Sequence, residues 1–170
     1  RQVVALAAEQ AVRADLDDWE GVGIAMVGVD ARRTFAATRA EALNALDDFV
    51  AHRLEQFGPY EDAVLQSDWS MAHSLLSTPL NLGLLDPLEV VDAALAAYRA
   101  GRAPLQSAEA LTRQVVGWRE WAWQLYWALG EEYIDSNALD ATTPVPPWFA
   151  ELDADAVQAR CLRTALREGR

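Results

Sequence analysis

Apolar side chains recur at three- and four-residue steps through most of this sequence, and this spacing limits its fold more than any other feature. The segment from Thr38 to Leu54 shows it best, because apolar residues follow the helical period from position 42 onward. Thr38 and Glu41 have the spacing of a capping box, in which each side chain bonds the other residue's backbone N–H. No strand-like alternation lasts more than a few residues. The sequence therefore predicts an all-α, multi-helical fold.

Other helices and their boundaries are predicted on both sides of this segment. Residues 2–16 have helical spacing and end in the acidic stretch DLDDWEG, and the glycine-rich run 21–29 is interpreted as a linker. Gly58 and Pro59 predict a break after the capped helix. The proline-rich segment 137–149 is predicted to be extended.

The second half of the sequence predicts three more helices. Asp86 caps the first, with Pro87 at its first position. Ser107 caps a long helix from Ala108 to Leu129, and Asp153 opens the last helix. The apolar positions are Val90, Val91, Ala94, Leu95 and Tyr98 in the first of these helices, and Val157, Cys161, Leu162 and Leu166 in the last.

The long helix carries an aromatic stretch, GWREWAWQLYW, at residues 117–127. Gln114 and Trp118 share one face of an α-helix, and Arg119 lies about 100° round from Trp118. An amide and a guanidinium beside an indole can hold a flat heteroaromatic ligand by hydrogen bonding and stacking. Core packing is the alternative for Trp118. It is the preferred interpretation for the other tryptophans of the stretch, Trp121, Trp123 and Trp127.

The segment HSLLS, residues 73–77, is a second candidate site. Its imidazole, its hydroxyls and the free N–H groups of a helix start suit a diphosphate. Helix capping by Ser74 or Ser77 is the simpler alternative. Paired metal-ligand spacing, a nucleophile elbow and a phosphate-binding glycine loop are all missing from the sequence, which disfavours those classes of site.

Charge and cysteine content limit the partners of the chain. The net charge of −12 argues against non-specific nucleic-acid binding by the segment as a whole, although a local basic face remains open. The one cysteine, Cys161, excludes an internal disulfide and fits a reducing compartment. Neither a membrane-spanning run nor a signal-peptide pattern is present. We therefore expect a cytoplasmic protein without a membrane partner.

Four motifs, in this order and spacing, resemble the photolyase and cryptochrome superfamily. They are FGPYEDA, HSLLSTPLNLGLLDPLEVV, AAYRAGRAPLQSAEALTRQVVGWREW and ARCL. The resemblance is strongest to the iron–sulfur bacterial branch of deoxyribodipyrimidine photolyase-related proteins. It predicts that residues 38–170 are the N-terminal portion of the FAD-binding helical domain and that residues 1–37 are a connector. The start at Arg1 and the helix expected at the other end indicate part of a longer chain.

This resemblance implies a function for the parent protein. An all-helical domain would bind FAD in a bent conformation, and reduced flavin would pass an electron to a (6-4) pyrimidine lesion flipped out of damaged DNA. The fragment alone is expected to be inactive, and an antenna chromophore would occupy a preceding domain. The implied cofactor contacts are Tyr60, His73, Ser74, Leu75, Ser77 and Arg119. The implied lesion contacts are Gln114 and Trp118.

Cys161, in ARCL, resembles the first of four cysteines that hold a [4Fe–4S] cluster in the iron–sulfur branch. Four thiolates are needed for such a cluster, so this sequence alone cannot assemble it. A buried structural thiol is the alternative for Cys161. The sequence departs from the family at Gln106, where Asn is usual, and at Trp121, where Tyr is usual.

Two other functions stay open. One is a cryptochrome-like blue-light sensor that signals without repair. The other is a cofactor-free helical interaction module whose tryptophans form its core. Whichever function applies, apolar surface at the edge of an incomplete domain predicts a non-physiological self-association of the fragment.

Overall fold

The computed structural model describes residues 7–25, 33–151 and 153–168, and every regular element in these ranges is helical. The all-α prediction is confirmed. No helix in the described ranges combines the length and the apolar character that crossing a membrane requires. The chain divides into two compact units, Phe35–Asp140 and a smaller one drawn from Arg1–Thr34 and Ala141–Arg170. The prediction treated residues 38–170 as one portion of a domain, whereas residues 141–170 group here with the N-terminal segment. The predicted roles of residues 1–37 as a connector and of residues 38–170 as part of the FAD-binding domain stay predictions.

The helices are numbered in chain order, and each unit has its own set. The smaller unit contains α1 (Ala7–Gly21), α8 (Pro147–Ala150), a 3₁₀ helix (Ala154–Ala156) and α9 (Arg160–Glu168). The larger unit contains α2 (Arg39–His52), α3 (Leu54–Tyr60), α4 (Ser77–Asn81), α5 (Pro87–Arg99), α6 (Leu105–Thr112), a π-turn (Arg113–Gly117), α7 (Trp118–Leu129) and a 3₁₀ helix (Glu131–Asp135). In the larger unit, α6 packs against both α3 and α5.

Helix α2 begins with the predicted capping box. The Glu41 N–H donates to Thr38 Oγ1 at 3.3 Å, and the Thr38 N–H donates to Glu41 Oε2 at 3.2 Å. Ala42, Leu46 and Phe49 form the buried stripe of the helix. The helix was predicted to reach position 54, but it ends at His52 because the next residue leaves helical geometry before α3 begins.

Helix α5 also begins as predicted. Asp86 Oδ1 accepts from the Leu88 N–H at 2.7 Å, and Pro87 occupies the first helical position. The predicted stripe is confirmed at Val90, Val91 and Ala94, which are buried. Tyr98 is exposed, which contradicts the prediction for that position. Ala97 is buried instead, because it continues the three- and four-residue steps from Val90 and Ala94.

An ion pair that the sequence did not reveal joins the starts of α2 and α5. Arg39 forms two hydrogen bonds to Glu89, of 2.7 and 2.6 Å, and donates a third to the Leu84 carbonyl at 2.8 Å. The hydrogen bond from Arg39 lowers the pKa of Glu89 below its usual value. The same bond raises the pKa of Arg39. Bidentate geometry of this kind fixes the two helix starts relative to each other.

The predicted break at Gly58 and Pro59 is wrong, since both residues lie inside α3. Pro59 has no N–H to offer the carbonyl of Glu55, one turn earlier. The hydroxyl of Ser107, on α6, donates to that carbonyl at 3.0 Å. Gly58 allows the close approach of α6 that this bond needs, because a Cβ there would lie 2.8 Å from backbone atoms of Gln106 and Ser107.

The prediction that Ser107 caps the long helix is therefore wrong. Ser107 is instead a fully buried residue of α6. The helical run begins two residues earlier, at Leu105, after Pro104. It continues to Leu129 as predicted, but the π-turn Arg113–Gly117 interrupts its α-helical geometry. Such single π-turns occur frequently at functional sites.

The helix predicted over residues 2–16, in the smaller unit, is confirmed in part. Helix α1 begins at Ala7 in the described residues and continues through the acidic stretch to Gly21, beyond the predicted end at residue 16. Positions 2–6 of the predicted helix lie outside the described residues. So do positions 26–29 of the predicted linker.

The C-terminal part of the smaller unit differs from prediction in two places. Helix α8 covers the last three residues of the proline-rich segment, which was predicted to be extended. Asp153 accepts from two backbone N–H groups, but it begins a 3₁₀ helix rather than the last α-helix. Val157 is buried, but it follows the 3₁₀ helix and precedes α9, so it belongs to neither helix. Helix α9 begins only at Arg160. The two-residue spacing of Asp153 and Asp155 suits a tight turn as well as a helix start.

Candidate functional site

Glu61, the residue directly after α3, connects that helix to the π-turn. Its Oε1 accepts from Arg113 Nη2 at 3.1 Å, and its Oε2 accepts from Gln114 Nε2 at 3.3 Å. The Glu61 side chain is only 16% exposed. The structure thereby brings Tyr60, an exposed residue and the last of α3, into the neighbourhood of Gln114. Sequence patterns did not predict this contact, because its partners lie more than fifty positions apart.

The π-turn changes the relation between Gln114 and Trp118. In an α-helix, a spacing of four residues places two side chains on one face. The π-turn closes over five residues, and the Trp118 N–H bonds to the carbonyl of Arg113 rather than to that of Gln114. The shared face inferred from α-helical geometry is therefore altered at this point. The widened turn lies directly between the two predicted lesion contacts.

Trp118 and Arg119 open α7 side by side. The Trp118 side chain is 55% exposed, and its ring packs edge to face on that of Trp121, with 5.4 Å between centroids. Arg119 is half-buried, and its Nη1 donates to the Val115 carbonyl at 2.8 Å. This bond holds the guanidinium against the π-turn.

The other tryptophans of α7 were predicted to pack in a core, and this prediction is wrong for the chain as described. No residue of α7 is buried. The rings pack on their neighbours along the helix instead, with Trp123 and Tyr126 each edge to face against Trp127. A concavity of about 550 Å³ lies on this surface, and the residues that line it all belong to α7: Arg119, Glu120, Ala122, Trp123 and Tyr126.

The candidate segment 73–77 follows a turn that Asp68 organises. Asp68 Oδ1 accepts from the Ser70 hydroxyl at 2.7 Å, and from the N–H groups of Ser70 and Met71 at 3.0 Å each. These bonds, led by that from the Met71 N–H, lower the pKa of Asp68 below its usual value. Met71 and Leu75 have φ angles of 38° and 57°. A non-glycine residue in this left-handed region carries strain, and such residues cluster at functional sites.

Between these two strained positions, His73 and Ser74 are half-buried, as is Leu75 itself. Ser74 Oγ accepts from the Leu76 N–H at 3.4 Å. Ser77 is exposed at the first position of α4, a helix of five residues. Neither serine caps α4 with its side chain, so the capping alternative is wrong.

The predicted cofactor residues thus fall into two groups in the larger unit. One group surrounds the strained segment, with His73, Ser74, Leu75 and Ser77. The other lies near the π-turn, with Tyr60 and Arg119. The hydrogen bonds described above join Glu61 to Arg113 and Gln114, while Ser74 and Arg119 each bond within their own segment.

Cys161 lies in the smaller unit, on α9, and its thiol is exposed. The alternative of a buried structural thiol is therefore wrong. Across the described ranges, no group of three or more His, Cys, Asp or Glu side chains is placed to hold a metal ion. A [4Fe–4S] cluster needs four thiolates, and the one cysteine of this sequence does not meet that need.

Comparison with known proteins gives one informative similarity. No protein-family model matches the chain. Over 115 residues, the chain is 44% identical to a (6-4) photolyase from Agrobacterium fabrum. This similarity supports the photolyase/cryptochrome superfamily. The aligned part makes up 68% of this chain but 23% of the relative, so the chain spans less than a quarter of the length of that photolyase. Placement in the iron–sulfur branch of the superfamily stays a prediction.

Proposed function

We propose that this chain is part of the helical FAD-binding domain of a light-dependent DNA-repair enzyme that acts on (6-4) pyrimidine lesions. The observation that carries the proposal is the 44% identity over 115 residues to a protein named (6-4) photolyase. The all-helical architecture agrees with it. The electron for repair would come from reduced FAD, and damaged DNA would be the partner of the whole protein.

The proposed binding of FAD rests on the side-chain chemistry of six residues, five polar and one apolar. The hydroxyls of Ser74 and Ser77 and the imidazole of His73 suit the phosphates and the ribityl chain of FAD. The strained segment supports such a role, because its half-buried side chains lie between two positions of unfavourable backbone geometry. Leu75 offers an apolar contact to the same ligand. Tyr60 and the Arg119 guanidinium would contact the flavin nucleotide from the other group.

The lesion side of the proposal rests on Gln114 and Trp118. An exposed indole can stack on an unpaired base, and a glutamine amide can hydrogen-bond to a base edge. Both groups suit a nucleotide that has left the DNA stack, because its face and its edges are then accessible. The role of these residues is to hold and orient the flipped base.

The proposal for a [4Fe–4S] cluster concerns a single residue of this chain. Cys161 is proposed as one ligand of a [4Fe–4S] cluster in the whole protein, and its exposed position on α9 leaves the thiol accessible. The residues of this chain do not by themselves fit the cluster, and no step of the repair is assigned to it.

The test uses the full-length parent protein. Purified protein should show a flavin absorption spectrum, and illumination should restore an oligonucleotide with a single (6-4) lesion, while a dark sample stays unrepaired. An oligonucleotide with a cyclobutane dimer tests lesion choice. A coloured protein that repairs neither lesion contradicts the repair function and favours the light sensor. A colourless protein contradicts FAD binding and favours the cofactor-free module.

A further inference from the structure

We propose that Glu61 is a positioning residue that fixes the orientation of the Gln114 amide toward the lesion, and so contributes to the discrimination between damaged and undamaged DNA. This inference rests on the proposed function, in which Gln114 contacts the flipped base. The two carboxylate oxygens of Glu61 have separate partners. Oε2 accepts from Gln114 Nε2 at 3.3 Å, and Oε1 accepts from Arg113 Nη2 at 3.1 Å.

The chemistry of the pair allows only one orientation of the amide. A carboxylate accepts hydrogen bonds and donates none, so the NH₂ group of Gln114 must face Glu61. The amide oxygen and the second N–H of Gln114 then remain for a ligand, in a fixed order. Base edges also present donors and acceptors in a fixed order. A glutamine without this anchor can rotate its amide by half a turn, and donor and acceptor then exchange places.

Glu61 is itself held firmly enough to act as an anchor. Its side chain is 16% exposed, compared with 55% for that of Arg113. It directly follows α3, and the Ser107 hydroxyl ties that helix to α6, immediately before the π-turn. Arg113 is also paired on its other side, since its Nε lies 3.6 Å from Glu109 Oε1. Thus the carboxylate lies between two helical segments whose relative position is fixed.

A plain surface ion pair between Glu61 and Arg113 would contribute little to binding. A positioning role for Glu61 and a purely structural ion pair with Arg113 predict different results when Gln114 is removed. A positioning residue loses its effect together with the group that it positions. A structural ion pair keeps its effect, because Arg113 is still present.

The experiment uses the full-length, FAD-loaded protein and measures affinity for a duplex with one (6-4) lesion and for the same duplex undamaged. Glu61→Gln keeps the size of the side chain, but its amide can donate as well as accept, so the orientation of the Gln114 amide is no longer fixed. We expect it to weaken binding of the damaged duplex about tenfold, the effect of one mispaired hydrogen bond between the Gln114 amide and the base edge. Affinity for the undamaged duplex and the flavin spectrum stay as in the wild type.

Glu109→Gln is the matched control, because it removes the same charge beside Arg113 and should leave binding of the damaged duplex unchanged. In a Gln114→Ala background, Glu61→Gln should have no further effect. Should Glu61→Gln lower the yield of folded protein, Glu61→Asp replaces it, since the shorter carboxylate cannot reach both donors, and the same loss is expected.

The outcomes separate the inference from the function on which it rests. A wild-type protein that binds both duplexes equally contradicts the proposed function. A wild-type protein that prefers the damaged duplex, with the Glu61 variant equal to it, overturns the inference alone. An undiminished effect of Glu61→Gln in the Gln114→Ala background also overturns the inference, because Glu61 then acts independently of Gln114.

Discussion

The hydroxyl of Ser107 accepts a hydrogen bond from the Gly58 N–H at 3.0 Å and thereby joins α6 to α3. It donates at the same time to the Glu55 carbonyl, which Pro59 leaves without an N–H partner from its own helix. One buried side chain therefore satisfies two backbone groups of a proline-containing helix. The helix therefore continues through Pro59 and ends at the next residue, Tyr60.

Ser107→Ala removes both of these hydrogen bonds. The Glu55 carbonyl would lose the partner that replaces the missing Pro59 N–H, and the Gly58 N–H would lose its bond to α6, each at a cost of about 1 kcal/mol. We expect the free energy of unfolding, measured by urea denaturation, to fall by about 1–3 kcal/mol. Ser136→Ala, at an exposed position, is the control and should leave that free energy nearly unchanged. Equal stability of the two variants contradicts the bridging role of Ser107.

Gly58→Ala should destabilise the chain although alanine favours helices. The added Cβ would lie 2.8 Å from backbone atoms of Gln106 and Ser107, so α6 must move away from α3. Overpacking of this kind costs about 1–3 kcal/mol. The matched control is Gly117→Ala, whose Cβ would meet only Arg113 Cγ at 3.7 Å. The free energy of unfolding of that control variant should rise by up to about 1 kcal/mol, because alanine has a higher helix propensity than glycine. If Gly58→Ala and Gly117→Ala change the midpoint of thermal unfolding to a similar extent, the approach of α6 to α3 is not tight.

Local signals in the sequence predicted the capped helices well. Thr38 with Glu41, and Asp86 with Pro87, define helix starts through neighbours a few positions apart, and both starts are confirmed. Gly58 misled the prediction because its role depends on a backbone some fifty positions away. A glycine that permits close packing and a glycine that ends a helix are identical in sequence.

The candidate site was predictable to a similar extent. Trp118 and Gln114 were named from their spacing and from a family resemblance, and the contact with Glu61 was not. The π-turn has no sequence signature that separates it from an α-helical turn, so the angle between these two side chains could not be derived. The hydrogen bonds of Asp68 were missed for a different reason. Asp68 acts through a local turn with Ser70 and Met71, and this turn precedes the predicted site at residues 73–77.

Asp68→Asn should loosen the turn that precedes His73, and its effect should depend on pH. Hydrogen bonds from Met71 and Ser70 lower the pKa of Asp68 in the folded state. A lowered folded-state pKa means that the ionised carboxylate stabilises the fold above the ordinary aspartate value of about 3.9. That contribution is lost as the pH falls through the folded-state pKa.

Thermal unfolding should therefore show Asp68→Asn to be less stable than the wild type at neutral pH, with a difference that shrinks in acid. Asp92→Asn, on the exposed side of α5, controls for the change in net charge. An NMR titration of the wild-type Asp68 carboxyl should give a midpoint below the ordinary value. A midpoint at or above that value contradicts the hydrogen bonding of the turn.

Trp118→Ala tests the proposed contact between α7 and a flipped base in the full-length protein. Base–aromatic stacking contributes about 1–3 kcal/mol per base, so affinity for a (6-4)-containing duplex should fall by a factor of about 5 to 150. Trp127→Ala is the matched control, since the same residue type lies on the same helix with similar exposure, 65% against 55%. It should leave that affinity nearly unchanged, and both variants should keep the flavin spectrum of the wild type. An equal loss of affinity in the two variants would mean that the aromatic surface of α7 binds DNA diffusely and that Trp118 has no particular place at the lesion.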